Sequence, residues 1–224
     1  MSKQGEAWIE SPQKRALETV LIGPVLPAIG GVALVATAAV SAAEGPGQAI
    51  HKVPRSLYPG NTFMVRKLGN PRVESRLLRA FRQAMIDELP QVLDILGGSM
   101  ALVGPRADTP AHIEELFAAI EDDDLRDRWG EVRSKQKPGI ISSYAVHSHA
   151  HNLEGLSESV RFSEEAQISS NAHLRATLDV DDFTAASSGH DLRLVSETAK
   201  MALHNYNHYI HDFMTARTQP SEIL

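Results

Sequence analysis

From Thr19 to Ala43 no residue carries a charge, and Glu18 and Glu44 bound the run. A helix needs about 20 consecutive apolar residues to cross a bilayer, so the length permits a span. The interior is punctuated, however, by Gly23-Pro24, Pro27 and Gly30-Gly31. Proline removes a backbone donor and kinks a helix. Four placements fit this pattern. A secretory signal would use Lys14 and Arg15 as its basic region and Ser41-Ala42-Ala43 as its cleavage site. Its apolar part would then exceed the usual length of about 7–15 residues. A plain transmembrane helix is the second placement. A broken helix that enters the membrane and returns is the third, and its freed backbone groups would need neighbouring partners. The fourth is a helix buried in a soluble core.

Downstream the pattern is that of a mixed, mainly helical domain. Glu44 to Gly60 is rich in Gly, Pro and polar residues and reads as loop with one short strand. Val73, Leu77, Phe81 and Met85 recur near helical spacing and predict a helix over Glu74–Met85. Arg72, Arg76, Arg79 and Arg82 fall on another face, either a solvated basic stripe or a face for phosphate or lipid headgroups. Pro90 disfavours helix at Leu89 and suits the first turn of a new one. Asp87 and Glu88 are therefore expected at a helix junction, ahead of a short apolar helix from Gln91 to Leu96 that Gly97-Gly98 ends. Thr109-Pro110 predicts the cap and first turn of a helix reaching about Trp129. Within it, Glu121 to Asp124 reads as a solvated acidic face. Lys135 to Ser143 reads as loop with a short strand.

Composition narrows the function. The chain has 224 residues, no cysteine and a formal net charge of -6. That length suffices for one ordinary domain with a closed core. Disulfides and thiolate zinc sites are excluded. The acidic balance argues against a general nucleic-acid binder, because no basic excess exists to neutralise phosphates. Histidines form two suggestive sets. His147, His149 and His151 would share a strand face, and His204, His208 and His211 share a helix face. Such spacings occur in zinc sites, but no carboxylate or cysteine motif completes either one. The second set, beside Tyr206 and Tyr209, suits a membrane-surface helix or an oligomer interface such as a homodimer.

The densest chemistry lies in two motifs. Ile86-Asp87-Glu88-Leu89-Pro90-Gln91-Val92 sets two carboxylates before a proline. Gly98-Ser99-Met100-Ala101-Leu102-Val103-Gly104-Pro105-Arg106-Ala107 follows and ends with an arginine on a Gly-Pro turn. In order and spacing the pair resembles the signature of the bacterial sugar transferases, the monotopic phosphoglycosyl transferases. Lys137-Pro138-Gly139-Ile140 resembles a third family element. Asp179, Ser187, Asp191 and Thr198 resemble the family's closing pattern, so the likeness runs over about residues 12 to 200. Gly60 to Lys67 resembles a further basic element. An ungapped reading puts Lys67 on the family lysine and Gly69 where the family has arginine. A shifted reading keeps Arg66 instead. Other departures are Ala107 for proline, Ser142 to His151 for a polar stretch, Asp182 for tyrosine and Glu18 for the aspartate of the family's Lys-Arg-x-x-Asp.

The resemblance implies an α+β, mainly helical fold. A re-entrant membrane segment over 1–44 would precede a compact cytoplasmic catalytic domain with short strands over 45–200 and a C-terminal helix and tail over 201–224. Lys14 and Arg15 would flank the point of membrane entry on the cytoplasmic side of the bacterial inner membrane. The implied reaction moves a sugar-1-phosphate from a nucleotide-diphosphate sugar, such as a UDP-sugar, to polyprenyl phosphate, initiating membrane glycoconjugate or exopolysaccharide synthesis. Asp87 corresponds to the family nucleophile and Glu88 to its magnesium ligand, making Mg2+ the expected cofactor. Arg106, Lys67, Arg82 and Lys137 are the expected substrate-binding cations. The partners are the nucleotide sugar, the polyprenyl phosphate and membrane lipid. The rival reading is a membrane-bound scaffold that keeps the fold and lacks the chemistry.

Overall fold

Ser11 sets the start of the N-terminal helical arm: its hydroxyl accepts the Lys14 N–H at 3.1 Å, and Pro12 follows in the first turn. In the computed structural model, which describes residues 3–45, 47, 49–69, 86–147 and 164–216, this arm follows a short helix α1 (Lys3–Ile9). It consists of α2 (Pro12–Ile22), a single 3-10 turn (Gly23–Val25) and α3 (Leu26–Glu44). The helix is interrupted where the prolines stand, as expected from the lost donor. Ile22, Leu26, Ile29, Ala36 and Val40 form one stripe at near-heptad spacing that packs on the rest of the chain. The opposite side is apolar and open: Val20 is 68% exposed, and Leu34 and Val35 are each 71% exposed.

Two small sheets follow. β1 (Ile50–Ser56) pairs antiparallel with β2 (Thr62–Leu68), with Val53 opposite Val65 and Arg55 opposite Phe63. The strand β2 was not expected from the sequence. A 3-10 turn (Ile86–Gln91) leads into α4 (Val92–Leu96), which closes at Gly97 and the positive-φ Gly98. β3 (Ala101–Val103) then pairs in parallel with β4 (Gly139–Ile141). Between them run α5 (Pro110–Ala118) and α6 (Asp123–Lys135). The single helix expected over residues 110–129 is thus two. The physical reason is Asp122, whose carboxylate accepts the Leu125 N–H at 3.1 Å and starts a second helix instead of extending the first. The acidic run is in part a cap.

The chain ends in α7 (Glu164–Ala185) and α8 (Ser188–Ala216). α8 is one helix across residues 200 and 201. Helices α5, α6 and α7 enclose a core of Ile113, Leu116, Ile120, Leu125 and Trp129 with Ala172 and Ala176. A second core joins the arm to the sheet: Ile22 packs with Val53, Val65, Val92, Ile95 and Met100. Val40 and Ala36 pack with Ala49, Leu68 and Ile86, which immediately precedes the two carboxylates. The architecture is mainly helical with short strands, and among the described residues one apolar helical run, Pro12–Ala43, is long enough to cross a membrane. Only 11% of that run's most apolar window is buried against the described residues.

The expected arginine helix over residues 74–85, with Arg72, Arg76, Arg79 and Arg82, lies outside the described residues. His149, His151 and the side chains of His204, His208 and His211 do as well. His147 stands in a short helical stretch over 143–147, not the strand that would align the first histidine set.

Candidate active site

The turn Ile86–Gln91 is wound as 3-10 helix because Pro90 offers no backbone donor to an α-helical ladder. It sets Asp87 and Glu88 side by side. Asp87 is 6% exposed. Lys67, near the end of β2, reaches both carboxylates: its Nζ donates to Asp87 Oδ2 and Glu88 Oε1, each at 3.0 Å. Arg106 donates from the Gly104-Pro105 turn to the same Glu88 oxygen at 3.1 Å. Burial alone would raise the Glu88 carboxyl. Arg106, followed by Lys67 and Arg55, outweighs that effect and holds it below the usual carboxylate range. Glu88 is therefore an anion at neutral pH. The cleft is completed by Arg55 from β1, Gln91, Ala107 and Asp108.

Arg106 is held through its backbone. Its carbonyl accepts from Arg133 at 2.6 Å and from Arg175. Arg133 is fully buried, and burial lowers it to about 10 against the opposing effect of Asp179. It remains charged at neutral pH, bonded to Asp179 at 2.6 Å, and Trp129 donates to the same carboxylate oxygen at 2.8 Å. Arg175 pairs with Asp108, two residues beyond Arg106. These contacts fix the turn that aims the guanidinium.

Four of the six site residues read from the sequence meet here: Asp87, Glu88, Lys67 and Arg106. The ungapped reading of β2 agrees with the geometry, because Arg66 pairs with Asp94 on α4 and stays out of the cleft. Arg82 lies outside the described residues. Lys137 is placed elsewhere, in a cavity it shares with Lys14, Arg15 and Lys135. The reason lies in its neighbour Gly139. A Cβ there would stand 2.2 Å from the Gly104 nitrogen, so the Lys-Pro-Gly element serves close strand packing beneath the Gly-Pro-Arg turn. Lys14 and Arg15 also differ from expectation. Lys14 is buried, donating to Val103 O at 3.1 Å and Asp191 at 2.7 Å, and Arg15 donates to the carbonyls of Ile95 and Leu96 at the end of α4. Sequence reasoning missed Arg55. The available signal was its place in a short strand two residues from Val53, with which it lines the packed face.

Asp182, one of the departures, is integrated into the fold: it accepts the Ser143 N–H at 2.9 Å and faces His190 Nε2 at 3.0 Å. Among the described residues no group of three or more His, Cys, Asp or Glu side chains could hold a metal. Magnesium needs less from a protein, commonly one or two carboxylates with the remaining oxygens from water and substrate phosphate. The adjacent carboxylates of Asp87 and Glu88 supply oxygen ligands of the kind such an ion takes.

The fold is mainly helical with an apolar arm, and it carries an acidic pair clasped by lysine and arginine. The sequence model of the bacterial sugar transferases matches residues 9–205. The chain belongs to that family, the phosphoglycosyl transferases its motifs resemble. It is 29% identical over 214 residues to the UDP-glucose:undecaprenyl-phosphate glucose-1-phosphate transferase of Caulobacter vibrioides, covering 88% of this chain and 72% of that protein. The enzyme of the same name from Escherichia coli is 33% identical over 99 residues, covering 43% of this chain and 20% of that protein. A putative undecaprenyl-phosphate N-acetylgalactosaminyl 1-phosphate transferase of Bacillus subtilis is 30% identical over 89 residues, covering 33% of this chain and 50% of that protein.

Proposed function

We propose that the protein transfers a sugar-1-phosphate from a UDP-sugar to a polyprenyl phosphate through a covalent intermediate on Asp87. The observation that carries the reading is the pair Asp87–Glu88, held by Lys67 and faced by Arg106. The names of the relatives, which join undecaprenyl phosphate to sugar-1-phosphate transfer, support it. A carboxylate needs no deprotonation at neutral pH and serves as a nucleophile towards phosphorus. An Asp87 oxygen attacks the phosphorus bonded to the sugar. The bond from that phosphorus to the bridging oxygen breaks, and UMP leaves with the electron pair. A phosphate oxygen of the lipid acceptor then attacks the same phosphorus and Asp87 departs, free again. The product is a polyprenyl diphosphate sugar.

Lys67, Arg106 and Arg55 are placed to hold non-bridging oxygens while negative charge shifts, and the planar arginine fork suits paired oxygens. Magnesium, when bound through Glu88, would neutralise diphosphate charge and improve the leaving group. Lys67 keeps the two carboxylates adjacent at low electrostatic cost. The departures at Ala107 and Asp182 leave this constellation intact, which favours catalysis over a silent scaffold.

The arm supports a membrane placement. Lys14 and Glu18 at its start and Val40 near its end all contact the same domain, while the outward face is apolar. These contacts at both ends support the reading that the arm re-enters on the cytoplasmic face of the inner membrane. Incubating membranes containing the protein with a panel of UDP-sugars and undecaprenyl phosphate should release UMP and form a lipid-linked sugar with at least one of them. Formation of neither product with any of the sugars contradicts the reading.

A further inference from the structure

Asp108 stands two residues beyond Arg106 and lines the same cleft as Arg55, Lys67, Glu88 and Arg106. An isolated antiparallel bridge to Ser56 fixes its backbone. The Ser56 N–H donates to Asp108 O at 2.7 Å, and the Asp108 N–H donates to Ser56 O at 3.1 Å. Arg55 precedes Ser56, so the bridge brings an arginine of β1 and the carboxylate that follows the Gly-Pro-Arg turn to one cleft. The two oxygens of Asp108 have different surroundings. Oδ2 is inaccessible and forms the ion pair with Arg175, which also holds the Arg106 carbonyl. The side chain is still 26% exposed, and that exposure belongs to Oδ1 and the side-chain carbons. Support of the turn thus uses one oxygen and leaves the other available to a ligand.

The charge of Asp108 decides what that ligand can be. Burial would raise its carboxyl, but Arg175, followed by Arg106 and Arg133, outweighs burial and holds it below the usual carboxylate range. Asp108 is therefore an anion at neutral pH, and an ionised carboxylate only accepts hydrogen bonds. A diphosphate or a lipid phosphate offers it no donor and repels it. A hydrocarbon chain offers it nothing. The nucleotide sugar differs, because hydroxyls of the sugar and of the ribose flank the diphosphate on its two sides and each can donate. Arg55, in the same cleft, can donate to the oxygen of such a hydroxyl. We propose that Asp108 accepts a hydrogen bond from a hydroxyl beside the diphosphate of the nucleotide sugar, and so sets specificity for the donor substrate while taking no part in binding the lipid acceptor. The assignment rests on the functional reading above and deepens it. A site built to bond a substrate hydroxyl rejects an analogue that lacks it, because the site's own polar group is then left unpaired.

The test removes one group at a time from the protein and from the substrate. The full-length protein in detergent micelles, with magnesium and no lipid acceptor, is given UDP-glucose, UDP-galactose, UDP-N-acetylglucosamine or UDP-N-acetylgalactosamine, and the UMP burst is followed against concentration. The sugar nucleotide used best is then compared with analogues lacking single hydroxyls of the sugar or of the ribose. Asp108→Ala should lower the burst rate per unit concentration about 10- to 100-fold with the intact substrate, the scale for a hydrogen bond to a charged group. With one analogue the parent should lose a similar factor, and Asp108→Ala should lose no more than about twofold beyond its own defect. Whether that analogue lacks a sugar or a ribose hydroxyl identifies the group bound, and either result supports the assignment. Asp108→Asn keeps the size and an acceptor oxygen, guards against misfolding and should show the same pattern at smaller amplitude. KM for undecaprenyl phosphate should stay at the parent value in both variants. If the variants lose the same factor with every analogue as with the intact substrate, Asp108 only supports the Arg106 turn, and the proposal fails while the functional reading stands. A parental burst from Asp108→Ala, or a rise in KM confined to the lipid acceptor, overturns it equally. Absence of a UMP burst from the parent protein with every UDP-sugar would remove the functional reading and this assignment together.

Discussion

Lys67 and Arg106 both bond the same oxygen of Glu88, but their geometries differ in what they can do next. The lysine is a compact charge that also reaches Asp87, whereas the arginine is a planar fork aimed by a turn whose carbonyl is fixed from behind by Arg133 and Arg175. Replacing Arg106 with lysine keeps the charge and loses the fork. Arg106→Lys is expected to lower kcat/KM by about 10²-fold, the scale for losing a transition-state donor. Thermal stability should stay within about 1 kcal/mol of the parent, the usual range for an exposed ion pair, since the side chain is one-third exposed. Kinetics and thermal unfolding of the one variant check both, and parental kcat/KM would make Arg106 a surface charge. At this scale the sequence was readable where chemistry clusters in a contiguous motif. Asp87, Glu88 and Arg106 stand in such motifs, and the structure brings their side chains together. Arg55 stands in no such motif and arrives from β1 by strand pairing. Lys137 lies apart from this cluster, and in its Lys-Pro-Gly motif the close approach is made by Gly139, which has no side chain.

Between elements, the arm acts as a clamp on the segment that carries the site. Glu18 accepts the Leu102 N–H on β3 at 3.0 Å, Lys14 donates to the next carbonyl at Val103, and Arg15 caps the C-terminal carbonyls of α4. α2 thus satisfies the free edge of β3, the strand that leads to Arg106. Glu18 is 4% exposed and sits 3.4 Å from Lys14. Its removal leaves a buried ammonium and a buried N–H with fewer partners, a loss that costs about 3–5 kcal/mol in comparable buried pairs. Glu18→Ala should therefore reduce stability by about 3 kcal/mol. Denaturant unfolding followed by the fluorescence of Trp8 and Trp129 would measure it, and a loss below about 1 kcal/mol would mean that the contact is solvated. The sequence disclosed the cap of α5 but neither the Ser11 cap of α2 nor the pairing of β3 with β4, which joins segments far apart in the chain. Nor did it reveal that Asp122 divides α5 from α6, because a capping aspartate within an acidic run looks like any other surface carboxylate.

For the whole molecule, the open question in the sequence was the direction of the apolar segment, since prolines signal a break without saying which way the chain turns. In the structure Ile22, Ile29, Ala36 and Val40 meet one domain along the length of the arm, which is the packing that the proposed re-entry rests on. The chain has no cysteine, so single labels are clean. Cysteines placed at the exposed positions Gln13 and Lys52 should both resist a membrane-impermeant reagent in intact cells and both react after lysis. Reaction of only one in intact cells would mean that the arm spans the bilayer. The most direct measurement concerns the division of labour between two adjacent carboxylates. Incubated with its UDP-sugar and magnesium but no lipid acceptor, the protein should release about one UMP per site and carry a sugar-phosphate on the peptide containing Asp87, as an aspartyl nucleophile requires. Asp87→Asn should abolish both signals, and Glu88→Gln should slow them without moving the adduct. An adduct on Glu88, or full turnover by Asp87→Asn, would contradict the account.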